Sequence, residues 1–507
     1  MTQRLKRGGK AAFAYCRGVQ AESLCHYSLF GLPRVDPEGD GGYYSSMSEP
    51  APRSKLFTPT LRFFMLAMIL ANLGGSMFFP FFSILLKKLG FPVETIGLYF
   101  TISAIFPLAL QIIGGWVSDR IGRIKSIAIG SVAGAISWFG ILAAPNTSNP
   151  VVWYLVSNAV GAITVSLVSP SFDAFIAEQS SEGNRTRVYS VIQSVYMIVG
   201  IAGPLIGGFI AERYSYEILA WASAFLYWTA TAIRVGMARR VSNPHTEAAI
   251  SEVGGSHSSI GVPPRHSLGE GLKGIVGLAV AGGLFSWILV ADGVFDIAGK
   301  LSGDLLPLYL REVGNLKEAS IGALQSASAI CMALAMLPFG TFADKRGERY
   351  PIAFGAFLVA MSAALLAVGR SFPVFLVAYC FFGLGMAGAG PSIQSLISKA
   401  VPESLRGLAF GFLSTSLGLF SFLAPGLGGL LWQRFFPALP LVVSGILCVV
   451  VIPLVLVKLV VLRATKVTPA DGLTAAMITI TATAERLAES AAAPGAVAAR
   501  DSGKDEE

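Results

Sequence analysis

The sequence predicts an all-α membrane protein in which twelve transmembrane helices form two pseudo-symmetric six-helix bundles. Three observations carry that expectation. Apolar blocks long enough to span a bilayer are separated by short polar punctuation, the blocks divide into six and six, and the two sets superimpose with glycines and aspartates in register. Of 507 residues, 53% are hydrophobic and 13% are charged, whereas an ordinary soluble domain carries roughly a quarter charged residues. A stretch of ~20 apolar residues crosses the ~30 Å hydrocarbon core. Each such stretch reads as a helix, because a lone segment in lipid must satisfy its backbone groups internally.

The spans are expected near 61–86, 94–117, 125–144, 150–174, 187–211 and 216–237, then near 276–310, 319–341, 351–369, 373–397, 407–431 and 437–462. Residues 61–237 and 276–462 are therefore the two bundles, joined by a polar linker over 238–275 that is rich in Ser, Gly, Pro and Arg. Residues 1–60 form a polar tail. Within it Met47-Ser48-Glu49-Pro50 reads as a conventional start, with a disordered leader as the other reading. Residues 463–507 read as a flexible tail.

The net charge of +8 sits mainly in tails and loops, so membrane orientation explains it and nucleic acid is not an expected partner. Placing linker and tails in the cytoplasm puts ten basic residues in the loops of that side, against seven in the opposite loops: Lys87, Lys88, Arg213, Arg311, Lys317, Arg370 and Arg434. Both termini are thus expected in the cytoplasm of a plasma (inner) membrane protein. The five cysteines, Cys16, Cys25, Cys331, Cys380 and Cys448, show neither disulfide nor zinc spacing. No metal, cofactor or catalytic motif is read, and the chain is expected to be a monomer among membrane lipids.

The internal repeat is specific. At an offset of 225, Ile96-Gly97 meets Ile321-Gly322, Ser103-Ala104-Ile105 meets Ser328-Ala329-Ile330, and Gly115, Asp119 and Gly122 meet Gly340, Asp344 and Gly347. At an offset of 221, the string from Pro170 through Asp173 to Glu178 falls on that from Pro391 through Gln394 to Lys399, while Pro204 and Gly207-Gly208 fall on Pro425 and Gly428-Gly429. Such repeats in a membrane place a solute site at the interface between halves.

The loop Gly115-Trp-Val-Ser-Asp119-Arg120-Ile-Gly122-Arg123-Ile-Lys125 resembles the signature loop of the major facilitator superfamily, and Gly340-Thr-Phe-Ala-Asp344-Lys345-Arg346-Gly347-Glu348-Arg349 resembles its second copy. The resemblance covers about 60–462 and implies that superfamily's fold. It also implies a cytoplasmic latch in which Asp119 and Arg123 gate the pathway, with Glu178 as a third partner. Plain topogenic charge is the alternative reading of the same residues. In the second half the charges are exchanged: Lys399 stands at the position of Glu178 and Glu348 at that of Arg123. Asp344, Glu348 and Lys399 are therefore expected to form a compensated second latch.

The fifth span carries Gly200-Ile-Ala-Gly203-Pro204-Leu-Ile-Gly207-Gly208, similar to a Gly-Pro string of proton-coupled drug exporters in the superfamily, with Val199 where an upstream glycine is expected. Physically the string offers a smooth surface for helix packing. Those exporters carry an arginine in the fourth span at the position of Ser157, so coupling chemistry has to be sought elsewhere.

The seventh span supplies candidates: Asp292, Asp296, Lys300 and Asp304, spaced by four and so on one drifting helix face. Two readings stay open. Asp292 or Asp296 binds a proton or a cationic substrate group with Lys300 tuning it, or the outer part stands beyond the bilayer and Lys300 and Asp304 are solvated. Asp173 reads as a structural pair. Tyr99, Gln111, Gln193, Tyr196, Trp287 and Gln325 are candidate cavity-lining groups that suit an amphipathic organic solute. The function expected is secondary active transport of a small organic solute by alternating access, proton-coupled and directed outward. The alternatives are proton-coupled nutrient uptake, and a non-transporting receptor or assembly factor of the same fold.

Overall fold

A computed structural model describes residues 59–179, 185–241, 283–401, 413 and 416–459. The linker from 242, both tails including Met47, and the side chains of Gln111, Gly115, Asp119, Asp173 and Glu178 lie outside the described residues. The described elements are helical. The first half comprises α1 (Pro59–Phe78), α2 (Phe82–Lys88), α3 (Val93–Ile121), α4 (Arg123–Ala143), α5 (Pro150–Gln179), α6 (Arg185–Arg213) and α7 (Tyr216–Val241). The second comprises α8 (Leu284–Gly303), α9 (Leu306–Glu312), α10 (Glu318–Arg346), α11 (Arg349–Val368), α12 (Phe372–Ala400), α13 (Ala424–Arg434) and α14 (Leu439–Lys458).

The first span of each half is broken near its end. In the first half a short 3-10 turn, Phe79–Phe81, carries Pro80 and separates α1 from α2. In the second, α8 stops at Gly303 and α9 resumes at Leu306 with Pro307 in its first turn. Proline lacks the N–H that would continue the ladder, so both breaks have a local cause. The expected continuous seventh span is thus two helices.

Among the described residues ten segments are long and apolar enough to cross a membrane. The seventh and eleventh spans are the two outside that number. Leu284–Gly303 is 20 residues long but carries Asp292, Asp296 and Lys300, and the stretch before it lies outside the described residues. In the eleventh, the described helix Ala424–Arg434 has 11 residues, with 402–412 outside the described residues. Lipid-facing character shows on the surface, where Leu337, Leu334 and Phe225 are 81%, 73% and 67% exposed; in water such apolar exposure would drive aggregation.

Within the first half α4 lies along α5 and α7, α1 along α6 and α7, and α3 along α5. The second half repeats this, with α11 along α12 and α14, α8 along α14, and α10 along α12. Between halves α3 meets α13 and α6 meets α10, the two pairs expected if one rotation exchanges the halves. A buried cluster including Phe78, Phe81, Phe82, Tyr309, Phe375 and Trp432 draws on both halves, at the end where α2 and α9 lie.

Candidate functional site

The halves meet through backbone contacts at glycine. A Cβ added to Gly97 would lie 2.5 Å from the carbonyl oxygen of Pro425, and one on Gly322 would run into the carbonyl of Pro204. These are the same contact made twice, since Gly97 and Gly322 are equivalent, as are Pro204 and Pro425. The same exchange holds one turn further on. Gly208 faces the carbonyl of Glu318, 2.5 Å from an added Cβ, and Gly429 faces that of Val93 at 2.8 Å.

The neighbouring glycines do something different. Gly207 abuts Met77 and Gly203 abuts Ser76, both in the first half, while Gly428 abuts Leu301 in the second. Each Gly-Gly pair therefore divides its work: the first glycine seats its own bundle's first helix and the second seats the opposite bundle. Small residues permit this close approach where lipid supplies no hydrophobic drive between helices. The Ser326 hydroxyl adds a bond to the carbonyl of Ile201 at 2.6 Å, and Thr101 Oγ1 accepts the Gly426 N–H at 2.9 Å.

Charged groups join the halves at the same end. Glu318, at the start of α10, is 3% exposed. Its Oε1 accepts hydrogen bonds from Lys88 Nζ and the Tyr216 hydroxyl, each at 3.1 Å, and its Oε2 accepts from Arg311 Nη1 at 3.1 Å. Lys88 and Tyr216 come from the first half, Glu318 and Arg311 from the second. Lys88 also lies 4.3 Å over the Tyr216 ring. Around this centre Lys87 pairs with Glu312 at 3.6 Å and Lys317 with Glu212 at 3.7 Å. Glu212 Oε2 also accepts the Ala319 N–H at 3.0 Å, at the positive end of the α10 dipole. In the sequence these lysines read as loop charge. The missed signal was acid in the complementary loops, Glu212, Glu312 and Glu318, in register with it.

At the opposite end, the two signature loops share a backbone conformation. Gly122 has φ +89° and ψ 152°, and Gly347 has φ +95° and ψ 152°. That region is open essentially to glycine alone, so the repeat in sequence is a repeat in geometry. Gly340 does not receive a neighbouring helix, because an added Cβ there meets nothing within 4 Å; this departs from the close approach expected at its counterpart Gly115. Glu348 and Lys399 form an ion pair, and Ser395 donates to the same Glu348 oxygen at 3.0 Å. Asp344 is exposed at the end of α10 and stands outside that pair. Burial alone would raise the Glu348 carboxyl. Hydrogen bonds from Lys399, a backbone amide and Ser395, with the lysine's charge, outweigh it and hold the group below the usual range. Arg120 is exposed, and it and Arg123 each make contacts within the fold.

On α8, Lys300 pairs with Asp296 at 3.2 Å and donates to the Ser421 hydroxyl at 2.9 Å. Asp292 is half-buried one turn earlier, and Asp304 is exposed at the helix end. Of the cavity candidates, Tyr99 lines a ≈ 400 Å³ cavity with Phe79, Phe82, Trp138, Tyr154 and Asn158. Tyr196 lines a ≈ 290 Å³ cavity with Asn72, Thr164, Phe172, Tyr227 and Arg234. Both are built from first-half residues and share Thr164, Val165 and Tyr227. Gln193 is exposed and Gln325 half-buried, and neither lines these cavities. Trp287 packs against the second-half core with Lys458 Nζ 4.8 Å above its ring, away from both cavities. Ser157 donates back to the Trp153 carbonyl at 2.7 Å and sits against Gly140, a helix-packing role.

The sequence profile of the Major Facilitator Superfamily matches residues 64–313 and again 288–486. The chain belongs to that superfamily. It is therefore an integral, multi-pass secondary active transporter and not an enzyme. A relative in Planococcus maritimus, named as a Na(+), Li(+), K(+)/H(+) antiporter, is 25% identical over 372 residues, covering 70% of this chain and 85% of that protein. The quinolone resistance protein NorA of Staphylococcus aureus (strain MRSA252) is 32% identical over 126 residues, or 25% of this chain and 32% of that protein. Among solved structures, a bacterial homologue of the iron transporter ferroportin in an inward-facing state superimposes with TM-score 0.63 at 14% identity, covering 78% of this chain and 98% of that one. The nucleoside transporter NupG (D323A mutant) does so with TM-score 0.64 at 13% identity, covering 80% and 100%. These two likenesses speak to the fold.

Proposed function

We propose that this superfamily member exports a small amphipathic organic solute in exchange for protons, by rocking its two halves against each other about their shared interface. The observation that carries the reading is the paired interface: the same glycine-to-carbonyl contact on both sides of a pseudo-twofold, closed by the Glu318 ion network, is a joint that two rigid bundles can make and release. In this reading the loops around Gly122 and Gly347 face the cytoplasm, both termini lie there, and the protein works as a monomer in the plasma membrane. The basic residues at the far end fit that orientation, since four of the seven, Lys87, Lys88, Arg311 and Lys317, are held by gate carboxylates.

Asp119, Arg123 and Glu178 then act as the first-half cytoplasmic latch, with Glu348 and Lys399 as the charge-exchanged second. Asp296, paired with Lys300 beside the half-buried Asp292, is the proposed proton carrier. The relative named as a cation/proton antiporter, matched over 85% of its length, favours one second reading, in which the exchanged species is a monovalent cation. Proteoliposomes containing a pH-sensitive dye separate the two. Under an imposed proton gradient, addition of a quinolone should move protons with the wild-type protein and at least ~10-fold more slowly with Asp296→Asn. Proton movement driven by Na+ or K+ alone would select the cation reading, and an unchanged rate in Asp296→Asn would remove that residue from coupling.

A further inference from the structure

Sequence reading overlooked Arg234. It lies on α7 seven residues before the helix end at Val241, ~10 Å along the axis at 1.5 Å per residue, and is 4% exposed. Charge inside a span is costly and is ordinarily paired. Arg234 Nη1 donates to Ser131 Oγ at 3.0 Å, but its Nε has no hydrogen-bond partner. Among the described residues no carboxylate forms a salt bridge with it. A guanidinium has five N–H donors in a planar fork suited to a carboxylate.

The side chain lines the smaller cavity together with Asn72, Thr164 and Tyr196. Tyr227 stands in the wall common to both cavities, beside Arg234 and Thr164. Its buried hydroxyl makes no hydrogen bond of good geometry. The larger cavity is aromatic, with the Phe82 ring centred 5.3 Å from that of Tyr99 and 5.1 Å from that of Tyr154. Of these two adjoining cavities, one is thus lined by a guanidinium with an unmet N–H and the other by ring faces and edges.

We infer that the two adjoining cavities form one substrate site with a built-in polarity: Arg234 takes the carboxylate of an aromatic organic anion whose ring system lies against Phe82, Tyr99 and Trp138. This rests on the transport reading and names its substrate class. The cation that sets the preference is fixed by the fold, so the site should discriminate by charge among solutes of equal shape.

The test is binding to the full-length protein in nanodiscs, by calorimetry, of three probes with one ring system: 1-naphthoate, 1-naphthalenemethanol and 1-naphthylmethylammonium. Expected is naphthoate bound about 10-fold or more tighter than the neutral alcohol, with the ammonium weakest. Arg234→Gln should erase the naphthoate advantage while leaving alcohol binding in place, and Arg234→Lys should keep part of it. Equal or better binding of the ammonium by the wild-type protein, binding of none of the three, or an undiminished naphthoate preference in Arg234→Gln would each overturn the assignment. The wild-type comparison decides even if Arg234→Gln fails to fold. Proton-coupled flux that persists while naphthoate fails to bind would leave the transport reading standing and move only the substrate class; loss of all flux would tell against transport itself.

Discussion

Glu348 and Lys399 stand where the first half has Arg123 and Glu178, and the structure joins them. The exchange was visible in the sequence because the repeat fixes which positions correspond, even though neither residue is close to the other in the chain. Its consequence is specific. Lys399→Glu leaves two carboxylates facing each other, and Glu348→Arg leaves two cations. Each should lower stability by about 1–3 kcal/mol, less than a fully buried pair because the Lys399 side chain is 51% exposed. The double change recreates the first half's arrangement and should recover most of the loss in a thermal unfolding assay; a double mutant no better than the worse single would show that the pair does not act as a unit. The pH dependence follows from the depressed Glu348 carboxyl. Its contribution is fully present above the unfolded value and disappears only as pH falls through the lower folded value. The stability gap between wild type and Glu348→Gln should therefore be constant at neutral and mildly acidic pH and close below the ordinary glutamate value of 4.5. Arg234 and Glu318 were harder to read from sequence. One sits unheralded in an apolar helix and the other resembles any loop acid until the partner loops are brought together in space.

At the scale of elements, ten of the expected spans are found among the described residues, and helices such as Glu318–Arg346 and Phe372–Ala400 match their apolar blocks to within a few residues. The break between α8 and α9 was not legible as such, since the apolar run continues through Pro307. The division of labour within the Gly-Gly pairs was not legible either, because the string shows only that something packs there. It predicts opposite outcomes for adjacent substitutions. Gly207→Ala strikes the Met77 backbone inside its own bundle and should cost ~1–3 kcal/mol of overpacking, seen as a lower melting temperature. Gly208→Ala strikes Glu318 of the other bundle, so it should leave melting nearly unchanged and instead open the far end. A larger spin-label separation between the exposed Tyr214 and Gln433 would report that opening in a background with the native cysteines replaced. Equal melting losses for both would contradict the split.

For the whole molecule, the repeat predicts two bundles and their exchange symmetry. Which end is closed is not encoded in a repeat, which is equally compatible with closure at either end. The structure adds the closed far end with its buried carboxylate. Glu318→Gln keeps the shape but removes the charge that Lys88 and Arg311 share. Coupling of 1–3 kcal/mol would shift the population toward the far-open state by ~5- to 150-fold, measurable as increased spin-label separation between the Tyr214 and Gln433 loops.

The most direct test of alternating access bridges that end covalently. With Cys16, Cys25, Cys331, Cys380 and Cys448 replaced, cysteines introduced at Glu212 and Lys317, whose side chains pair at 3.7 Å across the halves, can be joined by a short bifunctional thiosulfonate reagent. Proton-coupled flux in proteoliposomes should stop when the bridge forms and return on reduction. Undiminished flux through the bridged protein would contradict transport by opening and closing of this interface.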